Sequence, residues 1–132
     1  MASTSNKPER RPRKKPAARL SPDIKVAVAA ALDKKAEDLI VLDLRAGLAF
    51  TDAFVICTGN NARQMQAISD GIEEALKKIG QRPALVEGYT NAEWILLDYF
   101  DFIVHIFTPT TRVLYDLERL WGDAKRVAVS AK

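Results

Sequence analysis

Apolar residues along this chain recur with two periods, and the change from one to the other marks out its elements. Ile24, Val28, Ala31 and Leu32 follow helical spacing behind Ser21-Pro22-Asp23. Ser21 suits an N-cap, Pro22 the first helical position and Asp23 the positive helix end, and the pattern predicts a helix to about Glu37. Ile40 to Leu44 reads as a strand, Arg45-Ala46-Gly47 as a turn, and the almost wholly apolar Phe54 to Thr58 as a strand buried on both faces. Behind an Asn61 cap, Met65, Ile68, Ile72, Leu76 and Ile79 are spaced 3, 4, 4 and 3 apart, an amphipathic helix ending at Gly80.

Beyond Gly80 the strand rhythm returns. Leu85-Val86 is a short strand before a Gly88-Tyr89 turn, and Glu93–Asp98 and Phe102–Phe107 are strands joined tightly through Tyr99-Phe100-Asp101. Thr108-Pro109 opens a last helix, with Val113, Leu114, Leu117, Leu120 and Trp121 as its expected buried face and Gly122 as its end. The order α-β-β-α-β-β-β-α predicts a mixed five-stranded sheet with three helices, an α/β (α+β) domain over residues 21–123. Residues 124–132 are expected to be a C-terminal tail.

Charge changes the picture at the other end. The 132 residues carry a net charge of +3, but residues 1–19 hold seven cations and one anion, +6, leaving thirteen cations and sixteen anions, −3, for the rest. Residues 1–20, with Pro8, Pro12 and Pro16 among the charges, are expected to be a disordered basic tail suited to approaching an RNA-rich particle. No apolar run reaches the roughly 20 residues of a membrane-spanning helix, and no apolar segment follows the basic start as in a secretory signal. The single cysteine, Cys57, excludes an intrachain disulfide, so a reducing cytoplasm is the expected setting.

Each candidate for chemistry has a plainer reading. Gly59-Asn60 stands where a phosphate cradle would, but one glycine without a nucleotide fingerprint marks a strand-to-helix turn. Cys57 and the only histidine, His105, lie in apolar strands, where packing outweighs a nucleophile-and-base role. Asp98 and Asp101 flank a hairpin turn, a common place for aspartate, rather than forming a metal-binding pair. Neither catalysis, a metal nor a cofactor is indicated.

The stretch Gly88 to Tyr99 is the most informative. In a strand, Trp94, Leu96 and Asp98 point to one side, with Ile95, Leu97 and Tyr99 on the other. If one side packs on helices, the other shows aromatic and apolar surface beside a carboxylate, as interface hot spots do; if helices cover both faces, Trp94 is ordinary core, and the residues alone leave both readings open. The segments Thr51–Gly59, Val86–Gly88, Ala92–Tyr99, Asp101–Phe107 and Arg112–Trp121 resemble, in order and spacing, the hallmark blocks of the Iojap/RsfS family of ribosomal silencing factors across roughly residues 22–122. The resemblance implies a homodimer with a nucleotidyltransferase-like sheet. It also implies docking on the large ribosomal subunit, at the subunit interface, through the protein counted fourteenth. Bound there, such a factor blocks small-subunit joining and represses translation. On that analogy Trp94, Leu96, Asp98, Tyr99 and Asp101 lie on or near the docking surface, with an rRNA contact open to the basic tail. The competing reading is a degenerate or unusual nucleotidyltransferase acting on a nucleotide or RNA end, although Leu85-Val86-Glu87 lacks the paired aspartates such enzymes use.

Overall fold

The computed structural model describes residues 21–47, 49–127 and 129; the expected disorder of residues 1–20 falls outside them. The elements are α1 (Pro22–Asp33), β1 (Glu37–Asp43), β2 (Ala53–Thr58), α2 (Ala62–Lys77), β3 (Leu85–Glu87), β4 (Trp94–Asp98), β5 (Phe102–Phe107), α3 (Pro109–Tyr115), α4 (Leu117–Leu120) and β6 (Lys125–Val127). The strands form one mixed sheet in the order β3-β4-β5-β2-β1-β6. Only the central β2–β5 pair is parallel; the other neighbours are antiparallel.

The α+β class stands as expected, with a sixth strand added. Lys125–Val127 pairs with Val41–Asp43 at the β1 edge, within the stretch read as a tail. The first helix stops at Asp33, four residues short of expectation, because Lys35 adopts a positive φ of 69° and Glu37 enters the sheet. The third helix is broken at Asp116, whose left-handed backbone (φ 48°, ψ 53°) divides α3 from α4.

Two cores lie on opposite faces of the sheet. On one, α1 and α2 press Ile24, Val28, Met65, Ile68, Ile72 and Leu76 against Val55, Val104, Ile95 and Leu97. Asn61 caps α2, its side chain accepting a hydrogen bond from Gln64 N at 2.8 Å, and four of the five expected apolar positions of that helix are fully buried. Ile79, the fifth, lies past the helix end and is exposed. On the second face Leu117 sits over Leu42, Phe54, Ile56, Ile103 and Phe107, with Trp121 at its margin. The break at Asp116 turns Leu117 onto the sheet but leaves Val113, Leu114 and Leu120 exposed (Val113 at 78%), so the expected buried face of the last helix is reduced to Leu117 and part of Trp121. The α3–α4 segment therefore covers the β5-β2-β1 part of this face and reaches the start of β4 through Tyr115 against Trp94, while Leu85 and Glu87 stay exposed and Leu96 and Asp98 half-buried.

Candidate functional site

The bare end of the second face is built by strand register. Leu96 lies opposite His105 and Glu87, and Asp98 opposite Ile103 and Leu85. Residues paired across neighbouring strands share a face, so Leu85, Glu87, Trp94, Leu96 and Asp98 form one surface. Trp94, Leu96 and Asp98 are half-buried, while Leu85 and Glu87 are exposed. The alternation expected for this strand is therefore present: Ile95 and Leu97 face the helices, and Trp94, Leu96 and Asp98 face away from them.

Tyr99 departs from its expected role. It is 6% exposed, stacked on Phe102 at 5.1 Å within the helix-covered core, with its hydroxyl lacking a hydrogen-bond partner among the described residues. Burial pushes its pKa up. Its place in the Ile95–Leu97–Tyr99 series sets it on the helix-covered side of the sheet. Phe100, which no pattern in the sequence marks out, is 73% exposed at the hairpin tip.

That tip is held rigidly. Asp101 N donates to Tyr99 O at 2.8 Å around Phe100, whose φ of 72° is unusual for a bulky residue. The Asp98 carboxylate accepts from Phe100 N at 2.8 Å, Thr51 Oγ1 donates to Phe100 O at 2.7 Å, and Asp52 N donates to Asp101 O at 2.9 Å. Asp98 is thus both a surface charge and a turn clamp, whereas Asp101 is exposed. Strained backbone of this kind persists where surrounding contacts over-determine it.

Trp94 is held from three sides. Its ring centroid lies 4.5 Å from Tyr115, 5.0 Å from Phe107 and 5.9 Å from His105, and its indole N–H donates to His105 Nδ1 at 3.1 Å. The start of α3 is tied to the same place: Thr111 Oγ1 donates to Glu93 O at 2.6 Å, and Thr108 caps the helix through Thr111. Below, Gly88 has φ 80°, and a Cβ there would come within 2.0 Å of Trp94 O, so only glycine fits beneath the indole-bearing backbone.

The features that invite a catalytic reading are occupied by structural work. Gly59 N donates to Phe107 O at 2.9 Å and Asn60 N to Gln64 Oε1 at 2.7 Å, so the turn's N–H groups are already engaged. Cys57 is buried, and burial pushes its thiol up to about 12. A cleft beside the ends of β2 and α3 is lined by Glu37, Asp38, Asp116 and Glu118 around Arg112. Arg112 is committed to Glu118 at 2.7 Å and Thr58 Oγ1 at 2.9 Å, leaving a lining that disfavours phosphate. Among the described residues, no group of three or more His, Cys, Asp or Glu side chains is arranged to hold a metal ion. Nor is any helix among them long and apolar enough to cross a membrane.

Residues 17–132 match the family described as RsfS, ribosomal silencing factor during starvation. The chain belongs to the RsfS family. It is similar to the ribosomal silencing factor RsfS of Bacillus subtilis, 42% identical over 101 residues, which span 76% of this chain and 86% of that protein. It is also similar to the mouse mitochondrial assembly of ribosomal large subunit protein 1, at 28% identity over 75% of this chain and 45% of that longer protein. A solved structure from Chromobacterium violaceum superposes with a TM-score of 0.74 at 34% identity, covering 83% of this chain and 92% of that one. The resemblance carried by the blocks from Thr51 to Trp121 is thereby established as family membership.

Proposed function

We propose that this chain is a non-catalytic translational repressor that binds the large ribosomal subunit through the uncovered β3–β4 end of its sheet and sterically prevents the small subunit from joining. The observation that carries this reading is the surface itself: a strand face with Leu85 exposed and Trp94 and Leu96 half-buried, Trp94 flanked on one side by Tyr115, and edged by Glu87, Asp98 and Asp101. An aromatic anchor with aliphatic neighbours supplies the desolvated centre of an interface. The carboxylates suit basic groups of a ribosomal protein, where they speed encounter and set register more than they add affinity. The names of the relatives point the same way, one to ribosome silencing and another to assembly of the large ribosomal subunit.

Within this reading the contact is the large-subunit protein counted fourteenth, as the family resemblance implies, and the setting is the cytoplasm. Trp94, Leu96, Asp98 and Asp101 remain in the docking set, Phe100, Leu85 and Glu87 join it, and Tyr99 leaves it. The basic segment of residues 1–19 adds salt-sensitive contacts to rRNA. The homodimer implied by the family is supported by the exposed Val113, Leu114 and Leu120 of α3 and α4, apolar groups that a second copy would cover.

The test is sedimentation of tagged protein with purified large subunits at low and moderate salt. The expected result is co-migration with free large subunits and near-absence from joined ribosomes. Protein that stays at the top of the gradient at both salt concentrations would contradict the proposal.

A further inference from the structure

The indole of Trp94 is only half-buried, and a ring at a bare sheet edge has several orientations available unless something fixes it. Phe107 and Tyr115 lie against the ring at tilts of 31° and 43°, apolar contacts that crowd it without a directional bond. The one directional contact is the indole N–H, which points at His105 Nδ1 across 3.1 Å. We propose that His105 is a positioning residue, whose Nδ1 accepts the Trp94 indole N–H and so fixes the orientation in which that ring meets the basic and apolar surface of a protein partner. The inference rests on Trp94 being a docking residue.

Two further observations support it. The first is that His105 is a poor choice for packing alone. It is 4% exposed in a row between Leu96 and Ile56, with the Phe54 ring edge-on at 4.5 Å, a place where an aliphatic residue would fit without polar atoms. To accept at Nδ1 the neutral ring must carry its proton on Nε2, and that atom is buried with no hydrogen-bond partner among the described residues. A buried N–H without an acceptor destabilises the fold, so only the bond at Nδ1 gives the imidazole a use.

The second concerns its charge. Burial lowers the pKa of His105 to about 4, so the ring stays a neutral acceptor through the physiological range. The titratable groups on the same face include Asp98 on β4, Glu87 on β3, Tyr115 on α3, the Arg112–Glu118 pair of α3 and α4 and Arg126 on β6; β2 presents Phe54 and Ile56. None of them forms a hydrogen bond or ion pair with the ring among the described residues.

The experiment uses the full chain carrying Trp121→Phe, which leaves Trp94 as the only tryptophan. His105→Leu removes the acceptor, and His105→Asn keeps an acceptor near the Nδ1 position. Indole N–H exchange is followed by NMR, and affinity is measured for purified large ribosomal subunits. In His105→Leu we expect exchange to quicken at least about tenfold and binding to weaken by roughly fivefold to tenfold, the scale of one lost hydrogen bond. His105→Asn should stay within about threefold of the parent in both readouts. Equal behaviour of the Leu and Asn variants, or unchanged exchange and binding in His105→Leu, overturns the positioning role. Should His105→Leu fail to fold, nitrogen NMR of the parent imidazole decides: a proton on Nε2 supports the role, and one on Nδ1 overturns it. Trp94→Ala, measured alongside, separates the two failures. If it binds normally, the docking role of Trp94 falls and this inference with it; if it binds weakly while His105→Leu does not, only this inference falls.

Discussion

Replacing Trp94 with alanine has two consequences, and the structure assigns a size to each. A fully buried tryptophan costs about 3–5 kcal/mol when truncated to alanine. Trp94 is half-buried, so the packing loss against Phe107 and Tyr115 is smaller, although His105 Nδ1 also loses its donor. A loss of roughly 2 kcal/mol in stability follows, which lowers the melting temperature by about 10 °C in a domain of this size and leaves it folded at 25 °C. If the exposed part of the ring is an interface anchor, binding falls by about 2–4 kcal/mol, or roughly thirtyfold to several hundredfold. Calorimetric melting and large-subunit affinity, measured on the same preparation at 20 °C, read the two effects separately. A folded Trp94→Ala protein whose affinity stays within about threefold of wild type would refute the choice of surface, whatever its melting temperature.

His105, with a folded-state pKa of about 4 against an ordinary value of 6.5, binds its proton more readily in the unfolded chain. Stability should therefore be complete above pH 6.5 and fall as pH drops toward 4, by roughly 2 kcal/mol between 6.5 and 5, and urea melts of His105→Leu should lack that slope. Gly88→Ala must place a side chain at φ 80° against Trp94 O, so it should lose more than about 2 kcal/mol in denaturant melts and weaken binding by displacing Trp94; a melt matching wild type would contradict the fit. Removing residues 1–19 should preserve cooperative unfolding and large-subunit binding while flattening the salt dependence of affinity, and an unaltered salt slope would count against the rRNA contact.

The features legible in the sequence are those whose signal is repeated. Helix α2 repeats its apolar spacing over four turns, and β4 alternates so regularly that Trp94, Leu96 and Asp98 could be assigned one side without coordinates. The same alternation puts Tyr99 with Ile95 and Leu97 in the core. The strand period thus foretells its side of the sheet. Single-residue backbone events left less trace. Lys35 ends α1 and Asp116 splits α3 from α4 in left-handed conformations without glycine, so no stop signal marks either position. Strand β6 is three residues with two basic side chains at a sheet edge, too short and polar for a period to show. Phe100 leaves no sequence signal because its exposure depends on a turn clamped by Thr51 and Asp52, about 50 residues away in sequence. Glu87 and Leu85 entered the site only through their register with β4.

The central claim is steric repression from the uncovered end of the sheet, and subunit joining tests it most directly. Purified large subunits are saturated with this protein, small subunits are added, and joining is followed by light scattering, with Trp94→Ala as the matched control. The wild-type chain should suppress joining in proportion to its occupancy of the large subunit, and Trp94→Ala should require a far higher concentration to do the same. Large subunits that carry the protein at full occupancy and still join small subunits at the unimpeded rate would contradict it.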